Sequence, residues 1–547
     1  MPPLRAFLTV ALGTVFLSLL FLPEQVRDGN RLGLDPRPEL EVLLLLGALG
    51  LLALLGRRLP VWARAVVGVV VALAALFHFL VAAVPSFFER DLDLYWDLPH
   101  IPDLIGLFLD AAGPVKGWAS LFGVMLLFIL VSWFVTLLLG RMERALAVPG
   151  RPTLALGVAV LGLMLLPIQV GGRPLVSDRL SLEVGAHAAR TVMAWRIMHG
   201  APGPYAAALA SPQPPPGDLV RLKHHDVYLI FFESYGTTVL DDPRFSAVIR
   251  PALDEFASAV NDAGYYMLSN RIVSPTFGGG SWLAHGTMAS GLKLDFFLYR
   301  LLLSTDRRTL PQYMKAAGYQ SLNIMPGIKA PWPEGAYWGF DRTLVAKDMG
   351  YEGPPFGWFG IPDQWTLKVA LQQIDAHPHA PLFTQIVLLS SHTPFAPVPP
   401  YVADWSDVGP YKSISQPEWD RIYTNPDWWH LEEPYLQSVQ YDLKTLAGWL
   451  KQLRGQPLVI ILGDHQPPGF VSGSVAPHTV PIHVLSRDED LVLPFATLGY
   501  TAGAIPPPES GAVKGMESFL PDFLRLFSSG HSVVSVPEAM PAGGKRG

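Results

Sequence analysis

The stretch VYLIFF at Val227–Phe232 runs straight into Glu233-Ser234. Two other stretches end in the same manner. FTQIVLL at Phe383–Leu389 stops at Ser390-Ser391-His392, and LVIIL at Leu458–Leu462 stops at Gly463-Asp464-His465. Each run is short, continuous and rich in β-branched or aromatic side chains, which suits a strand buried on both faces of a mostly parallel sheet. Open α/β sheets bind ligands beyond the carboxyl ends of their strands. A glutamate, a histidine and an Asp-His pair are therefore expected at one sheet edge. Any one of them alone reads equally well as a helix cap or a satisfied loop residue; the coincidence of three points to chemistry.

Outward from these strands, residues 218–529 alternate short apolar runs with helical patterns and read as one α/β catalytic domain, followed by a mobile tail at 530–547. The rest of the chain is different. Of its 547 residues, 50% are hydrophobic and only 16% charged, against roughly a quarter charged in ordinary soluble proteins. No charged residue occurs in Ala6–Pro23, Val42–Gly56, Ala65–Phe88, Gly117–Gly140 or Pro152–Gly172. All but the second reach the roughly 18 residues of a bilayer span, and no polar sequence is left to coat them as core helices. Residues 1–172 are thus expected to form an N-terminal α-helical membrane domain of five transmembrane helices.

Basic residues in short loops orient such a domain. Arg57, Arg58 and Arg64 lie in one loop and Arg141, Arg144 and Arg151 in another, so both loops and the N-terminus are expected inside. Five crossings then leave everything after Gly172 extracytoplasmic. The acidic, aromatic segment 89–116 falls on the same outer side as an interfacial element. Residues 173–217 read as a connecting helix, Leu180–Met198, and a Pro-rich linker, Gly203–Gly217, held out of any core.

Composition also excludes. With 40 Lys+Arg against 46 Asp+Glu, a net charge of -6 and no basic run, nucleic acid is a poor partner. The absence of cysteine removes disulfides, thiolate nucleophiles and Cys-based metal sites. Chemistry is left to Ser, Thr, His, Asp and Glu. One nucleophile stands out in SPTFGGGSWLAHGTMASG, Ser274–Gly291, where a glycine-rich turn precedes Ser281 and a helix. A hydroxyl at a helix start lies among free N–H groups that stabilise an anion, although an ordinary N-cap serine looks the same. Glu233, Ser281, Asp464 and His465 together suit a hard or borderline divalent cation such as Mn²⁺, Zn²⁺ or Mg²⁺.

FFES at 231–234, FGGGSWLAHGTMASG at 277–291, LLSSHTPF at 388–395 and ILGDHQPPG at 461–469 resemble the sulfatase-like branch of the alkaline phosphatase superfamily. Within it, the chain is most similar to the membrane-anchored lipoteichoic acid synthase-like and phosphoglycerol transferase group. Lesser matches are LPQYMKAAGYQSLNIMPG (310–327), YWGFDR (337–342) and YLQSVQYDLKTLAGWLKQL (435–453), whose family counterpart is a helix with a Tyr-Asp pair.

The resemblance implies metal ligation by Glu233, Ser281, Asp464 and His465, with Ser281 as nucleophile. It implies a phosphate-holding His392 and a substrate-side Trp332. His478 matches, offset by one residue, a second histidine of phosphoethanolamine transferases. An arginine of glycerophosphate polymerases is absent after Trp332, where Pro333 and Glu334 stand, with Lys329 nearby as a substitute. Phosphoethanolamine transferases usually carry disulfides, and this chain has no cysteine. Ser281-Trp282-Leu283 lacks the Pro and Arg of sulfatases that make formylglycine.

The implied activity is transfer of a phospholipid headgroup, of phosphoglycerol or phosphoethanolamine type, through a phospho-serine to a cell-envelope glycan or glycolipid acceptor. The implied place is the bacterial inner membrane, with the catalytic domain on the periplasmic side. The alternatives are a phosphodiesterase or phosphatase using water, a sulfatase, and a non-catalytic relative.

Overall fold

The structure, a computed structural model, describes residues 3–26, 31–88, 91–170, 173–200, 203–329, 331–377, 381–409, 411, 430–473, 476–509 and 511–529. The expected tail at 530–547 lies outside the described residues. The chain divides into two compact units, Met1–Ala201 and Pro202–Gly547.

The first unit is helical: α1 Pro3–Leu19, α2 Leu40–Leu54, α3 Val61–Phe88, α4 Ile101–Ala112, α5 Pro114–Leu146, α6 Arg151–Leu165 and α7 Arg179–Met198. α2 packs on α6, and α1 and α3 pack on α5. Small residues permit the close approach: a Cβ added at Gly47 would meet the Ala159 methyl at 2.6 Å. Two segments, Val61–Pro85 and Val115–Leu146, are long and apolar enough to cross a membrane. Only 22% and 11% of their most apolar windows is buried. Three further apolar helices, Leu4–Leu19, Leu40–Leu54 and Arg151–Leu165, are shorter. At 1.5 Å per residue the latter two extend about 22 Å, short of a hydrocarbon core about 30 Å thick. Among the described residues, then, five apolar helices occur in the expected places and two have full spanning length. The 89–116 segment is helical from Leu94, in a short turn to Asp97 and then in α4.

The second unit is built on an eight-stranded sheet. Its strands are β1 Val227–Phe232, β2 Tyr266–Val273, β3 Gln320–Met325, β4 Arg342–Val345, β5 Leu382–Leu388, β6 Leu458–Gly463, β7 Thr479–Ser486 and β8 Thr501–Ala502. The order across the sheet is β8-β2-β7-β6-β1-β5-β3-β4. From β6 to β4 neighbouring strands are parallel; β7, β2 and β8 continue the sheet antiparallel.

Every residue of β1 is buried. Tyr228, Ile230 and Phe232 enter one apolar cluster, with α8 (Pro243–Asp262) and α11 (Glu432–Gln452). Val227, Leu229 and Phe231 enter the other, with α9 (Ser281–Ser290) and α12 (Phe519–Phe527). Between them in sequence, α10 (Asp363–Asp375) packs against β5 and α11. Burial on both faces is why β1 reads as an unbroken hydrophobic run, and each such side chain contributes about 1.5–3 kcal/mol.

The Pro-rich stretch 203–217 departs from expectation. Rather than staying out of a core, it lays Tyr205, Ala208 and Leu209 on the second cluster. The Arg307 guanidinium donates to the Ser211 carbonyl at 3.0 Å, and Tyr313 OH to that of Pro214 at 2.7 Å. Proline supplies no N–H but leaves its carbonyl free, and the Tyr313 hydroxyl exploits that at Pro214. The second unit accordingly begins at Pro202, ahead of the expected boundary.

Candidate active site

The sheet register sets the site. Phe232 at the end of β1 pairs with Gly463 of β6 on one side and Leu388 of β5 on the other. The next residues, Glu233, Asp464 and Leu389, leave the sheet at one level. Gly463 is needed here: an added Cβ would come within 2.8 Å of the Tyr235 carbonyl carbon. Ser234 holds a left-handed φ of 54°, uncommon outside glycine, which turns its N–H onto Asp464 Oδ1 at 2.8 Å.

Ser281 arrives from another direction. Gly278, Gly279 and Gly280 all have positive φ, of 63°, 149° and 77°, a path only glycine takes freely. The turn is tied to the strand ends by Gly278 N–H donating to the Gln466 carbonyl at 3.1 Å. Ser281 thus opens α9 with its Oγ 3.2 Å from Glu233 Oε2 and 3.2 Å from His465 Nε2. His465 Nε2 lies 3.3 Å from Glu233 Oε1 and 3.8 Å from Asp464 Oδ2. Glu233, Asp464 and His465 are all buried.

These groups fit a divalent cation. One ligand atom from each of Glu233, Asp464 and His465 lies within 4.8 Å of the others, the one such grouping found among the described residues. Asp464 Oδ2 is buried and accepts no hydrogen bond, a costly state that a cation would relieve. The His465 Nδ1 is 2.7 Å from the Gln466 carbonyl, which makes Nδ1 the proton-bearing nitrogen and leaves the Nε2 lone pair facing the carboxylates. Without a cation the cluster is electrostatically awkward. Burial opposes the charged form of Glu233, but the fields of His465 and His392 outweigh it and hold its carboxyl well below the ordinary range. Burial and the charge of Glu233 push Asp464 up to about 7. For His465, burial is outweighed by Asp464 and Glu233, which push the imidazole up to about 9.

The remaining expected residues are outside this group of ligand atoms. His392 is half-buried, its Nδ1 on the Thr393 carbonyl at 2.7 Å and its ring edge-on to Phe359 at 4.9 Å. Phe359, Lys329 and Trp332 line one cleft of about 950 Å³. Lys329 is exposed and Trp332 half-buried. His478 packs against Phe277 of the glycine-rich segment, ring centroids 5.2 Å apart. Burial and Lys293 lower its basicity, and it is not among the clustered ligands.

Sequence reasoning missed several participants. Ser391 is buried with its hydroxyl donating to the Glu233 carbonyl at 2.7 Å, and Ser274 Oγ donates to that of Asp464 at 2.6 Å. His285 lies one helical turn after Ser281, its ring 4.0 Å from that of Phe231 and its Nε2 buried without a partner. Burial pushes it down to about 3, so it is neutral. The spacing of four from Ser281 within one helix was the available signal.

Residues 295–479 match a family model described as Sulfatase, a span that includes His392, Asp464 and His465. No curated protein matches the chain. Among solved structures, it is similar to the integral membrane lipooligosaccharide phosphoethanolamine transferase A (EptA) from Neisseria meningitidis. That likeness has 12% identity and a TM-score of 0.48, over 96% of this chain and 95% of that one. For the phosphoglycerol transferase GacH from Streptococcus pyogenes the figures are 13% and 0.35, over 55% of this chain and 85% of that one. For the lipoteichoic acid synthase LtaP from Listeria monocytogenes they are 13% and 0.36, over 48% of this chain and 65% of that one, just under two thirds of its length. At such identities and scores these likenesses carry no weight for the chemistry. The family match takes in the ends of β5 and β6 but neither the end of β1 nor Ser281, and residues 295–479 are thus similar to a sulfatase-type domain.

Proposed function

We propose that this chain is a metal-dependent phosphotransferase of the bacterial inner membrane. It takes a phospholipid headgroup, of phosphoglycerol or phosphoethanolamine type, and passes it through phospho-Ser281 to a hydroxyl of an envelope glycan or glycolipid. The observation that carries this reading is the position of Ser281 Oγ, at a helix N-terminus and 3.2 Å from both Glu233 Oε2 and His465 Nε2.

Glu233, Asp464 and His465, with Ser281 Oγ, would hold one divalent cation, Mn²⁺ or Zn²⁺ by the mixed oxygen and nitrogen donors, with Mg²⁺ as the third choice. When bound it would supply positive charge beside the nucleophile and the phosphoryl oxygens. Ser281 Oγ attacks phosphorus in line and the bond to diacylglycerol breaks. Glu233 Oε2 accepts the hydrogen bond of the Ser281 hydroxyl and, with its carboxyl held low, passes the proton on to solvent. The free N–H groups of α9 face the phosphoryl oxygens. His392, its Nδ1 held by the Thr393 carbonyl, offers Nε2 to those oxygens or a proton to the departing diacylglycerol. The acceptor hydroxyl then attacks phospho-Ser281 from the vacated side, giving its proton to His392 as the P–Oγ bond breaks and Ser281 Oγ is released. Lys329 and Trp332, in the cleft beyond Phe359, suit an acceptor sugar or a headgroup. His478 stands one layer back, behind Phe277, as a second acid.

The apolar helices of residues 1–172 are read as five transmembrane passes with the N-terminus inside, segment 89–116 as interfacial and the α/β unit as periplasmic. Donor lipid and enzyme then share one membrane.

The test is mass spectrometry of the Ser281 peptide after incubating the full-length protein with cell lipids. An adduct of phosphoglycerol or phosphoethanolamine mass is expected, and bare phosphate would mark a phosphatase. Labelled phospholipid, with and without an oligosaccharide acceptor, separates transfer from hydrolysis. Phospholipid-dependent transfer by Ser281→Ala would sink the assignment.

A further inference from the structure

Two buried carboxyl groups beneath the Ser390–His392 turn have no part in the chemistry above. Asp363 opens α10 and is fully buried. Its oxygens accept Leu389 N–H at 2.8 and 2.9 Å and Ser390 N–H at 2.6 Å, while its own N–H donates to Ser390 Oγ at 3.1 Å. The turn leaving β5 is thereby clamped by one side chain, and His392 N–H closes it onto the Leu389 carbonyl at 3.1 Å. Asp442, in the middle of α11, is also fully buried, and neither of its oxygens accepts an N–H or O–H of ordinary geometry. The Gln364 N–H donates to Tyr441 OH at 3.2 Å, which lays residues 441–442 of α11 against the start of α10, and the Asp363 carboxyl and the Ser391 hydroxyl are among the polar neighbours of Asp442.

Two carboxylates in contact inside a protein cannot both ionise, so one proton must lie between them. The other groups facing the pair are Tyr441, whose OH accepts the Gln364 N–H at 3.2 Å, Tyr411 and, through Ser391, Glu233. Among the described residues no Lys, Arg or His makes an ion pair with either carboxyl. The proton is the only positive charge available.

We propose that Asp363 and Asp442 form a proton-sharing pair that positions the Ser390–His392 turn, and through it both His392 and the Glu233 carbonyl held by Ser391. They are positioning residues, and their catalytic consequence rests on the function proposed above. Burial pushes Asp363 up to about 6 and Asp442 further above the ordinary range. The sign is therefore that of groups raised on folding: the clamp is complete at low pH and is lost as pH rises through the pair's upper titration.

The experiment compares the full-length protein in detergent with Asp442→Asn and Asp442→Ala. Asparagine supplies permanently the donor that the shared proton supplies; alanine supplies none. The first readout, amide hydrogen exchange of Leu389 and Ser390, needs no substrate. Asp442→Ala is expected to raise exchange at least about tenfold, and Asp442→Asn to stay within about twofold of the parent. The second readout is turnover against pH at equal metal content. Asp442→Ala should lower kcat at least about tenfold with a smaller change in KM. Asp442→Asn should keep turnover and lose the parent's fall at high pH. If Asp442→Ala does not fold, the contrast between the parent and Asp442→Asn in exchange at high pH decides. Equal exchange in all folded forms at every pH overturns the pair. Exchange as expected with no phospholipid turnover in the parent overturns the function and leaves the pair standing.

Discussion

The two units hide opposite halves of their surfaces. In α5 of the first unit, Phe122, Val124, Leu127 and Trp133 are each at least 59% exposed. In β1 of the second, all six side chains are buried, and the buried Glu233, Asp464 and His465 stand just past the ends of β1 and β6. One unit is shaped for an apolar surrounding and the other for water. Among the described residues the grouped ligand atoms all belong to the second unit, where β1 and β6 stop.

That contrast can be broken in either half without touching the other. The largest effect is expected at Ser281. Ser281→Ala should lower turnover by more than about a thousandfold, weaken metal binding less than loss of Asp464 or His465 does, and leave membrane association unchanged, read as phospholipid consumption per mole of membrane-bound protein. Next is the cluster behind it. His465→Ala or Asp464→Ala should weaken metal binding by more than about a hundredfold, and chelation of the parent should abolish turnover until Mn²⁺ or Zn²⁺ is restored.

A finer test concerns protons. His465, pushed up to about 9, and Asp464, pushed up to about 7, hold protons that a cation displaces. Metal binding should release close to two protons at about pH 6 and about one at about pH 8, and should tighten as pH rises toward about 9. Calorimetry in buffers of different ionisation enthalpy measures this; no proton release at either pH would remove the cluster as the metal site.

The smallest effects form a matched pair. Leu127→Arg, on the exposed face of α5, should cost about 3 kcal/mol of membrane insertion and show as lost membrane-integrated protein, with metal binding unaltered. Val248→Arg, at a 41% exposed site of α8, should shift stability by less than about 0.5 kcal/mol. Equal tolerance at both sites would erase the distinction between the units.

The central strands were legible because a run buried on both faces is hydrophobic at every position. Val227–Phe232 has the expected limits, and β5 and β6 lie within one residue of theirs. The antiparallel edge was not legible. β2 reads YMLSNRIV, with Ser269, Asn270 and Arg271 in its middle. Those polar side chains find partners no local pattern announces, such as Ser269 Oγ near His483 Nδ1 at 2.7 Å. The Pro-rich stretch misled because proline content argues against helix and sheet but not against packing. At the site, residue types at strand ends pointed to Glu233, Asp464 and His465. Asp442 stood in the Tyr-Asp pair of the 435–453 match, but nothing in spacing or composition joined it to Asp363, 79 residues earlier.

The register of the sheet also fixes when the molecule becomes competent. Positions 233, 281 and 464–465 meet only after β6 has docked beside β1, late in the chain and across a parallel pairing that is slow to form. A chain still being synthesised carries Glu233 and Ser281 well before Asp464 and His465, so the grouped carboxylates and imidazole come together only once most of the second unit has been made.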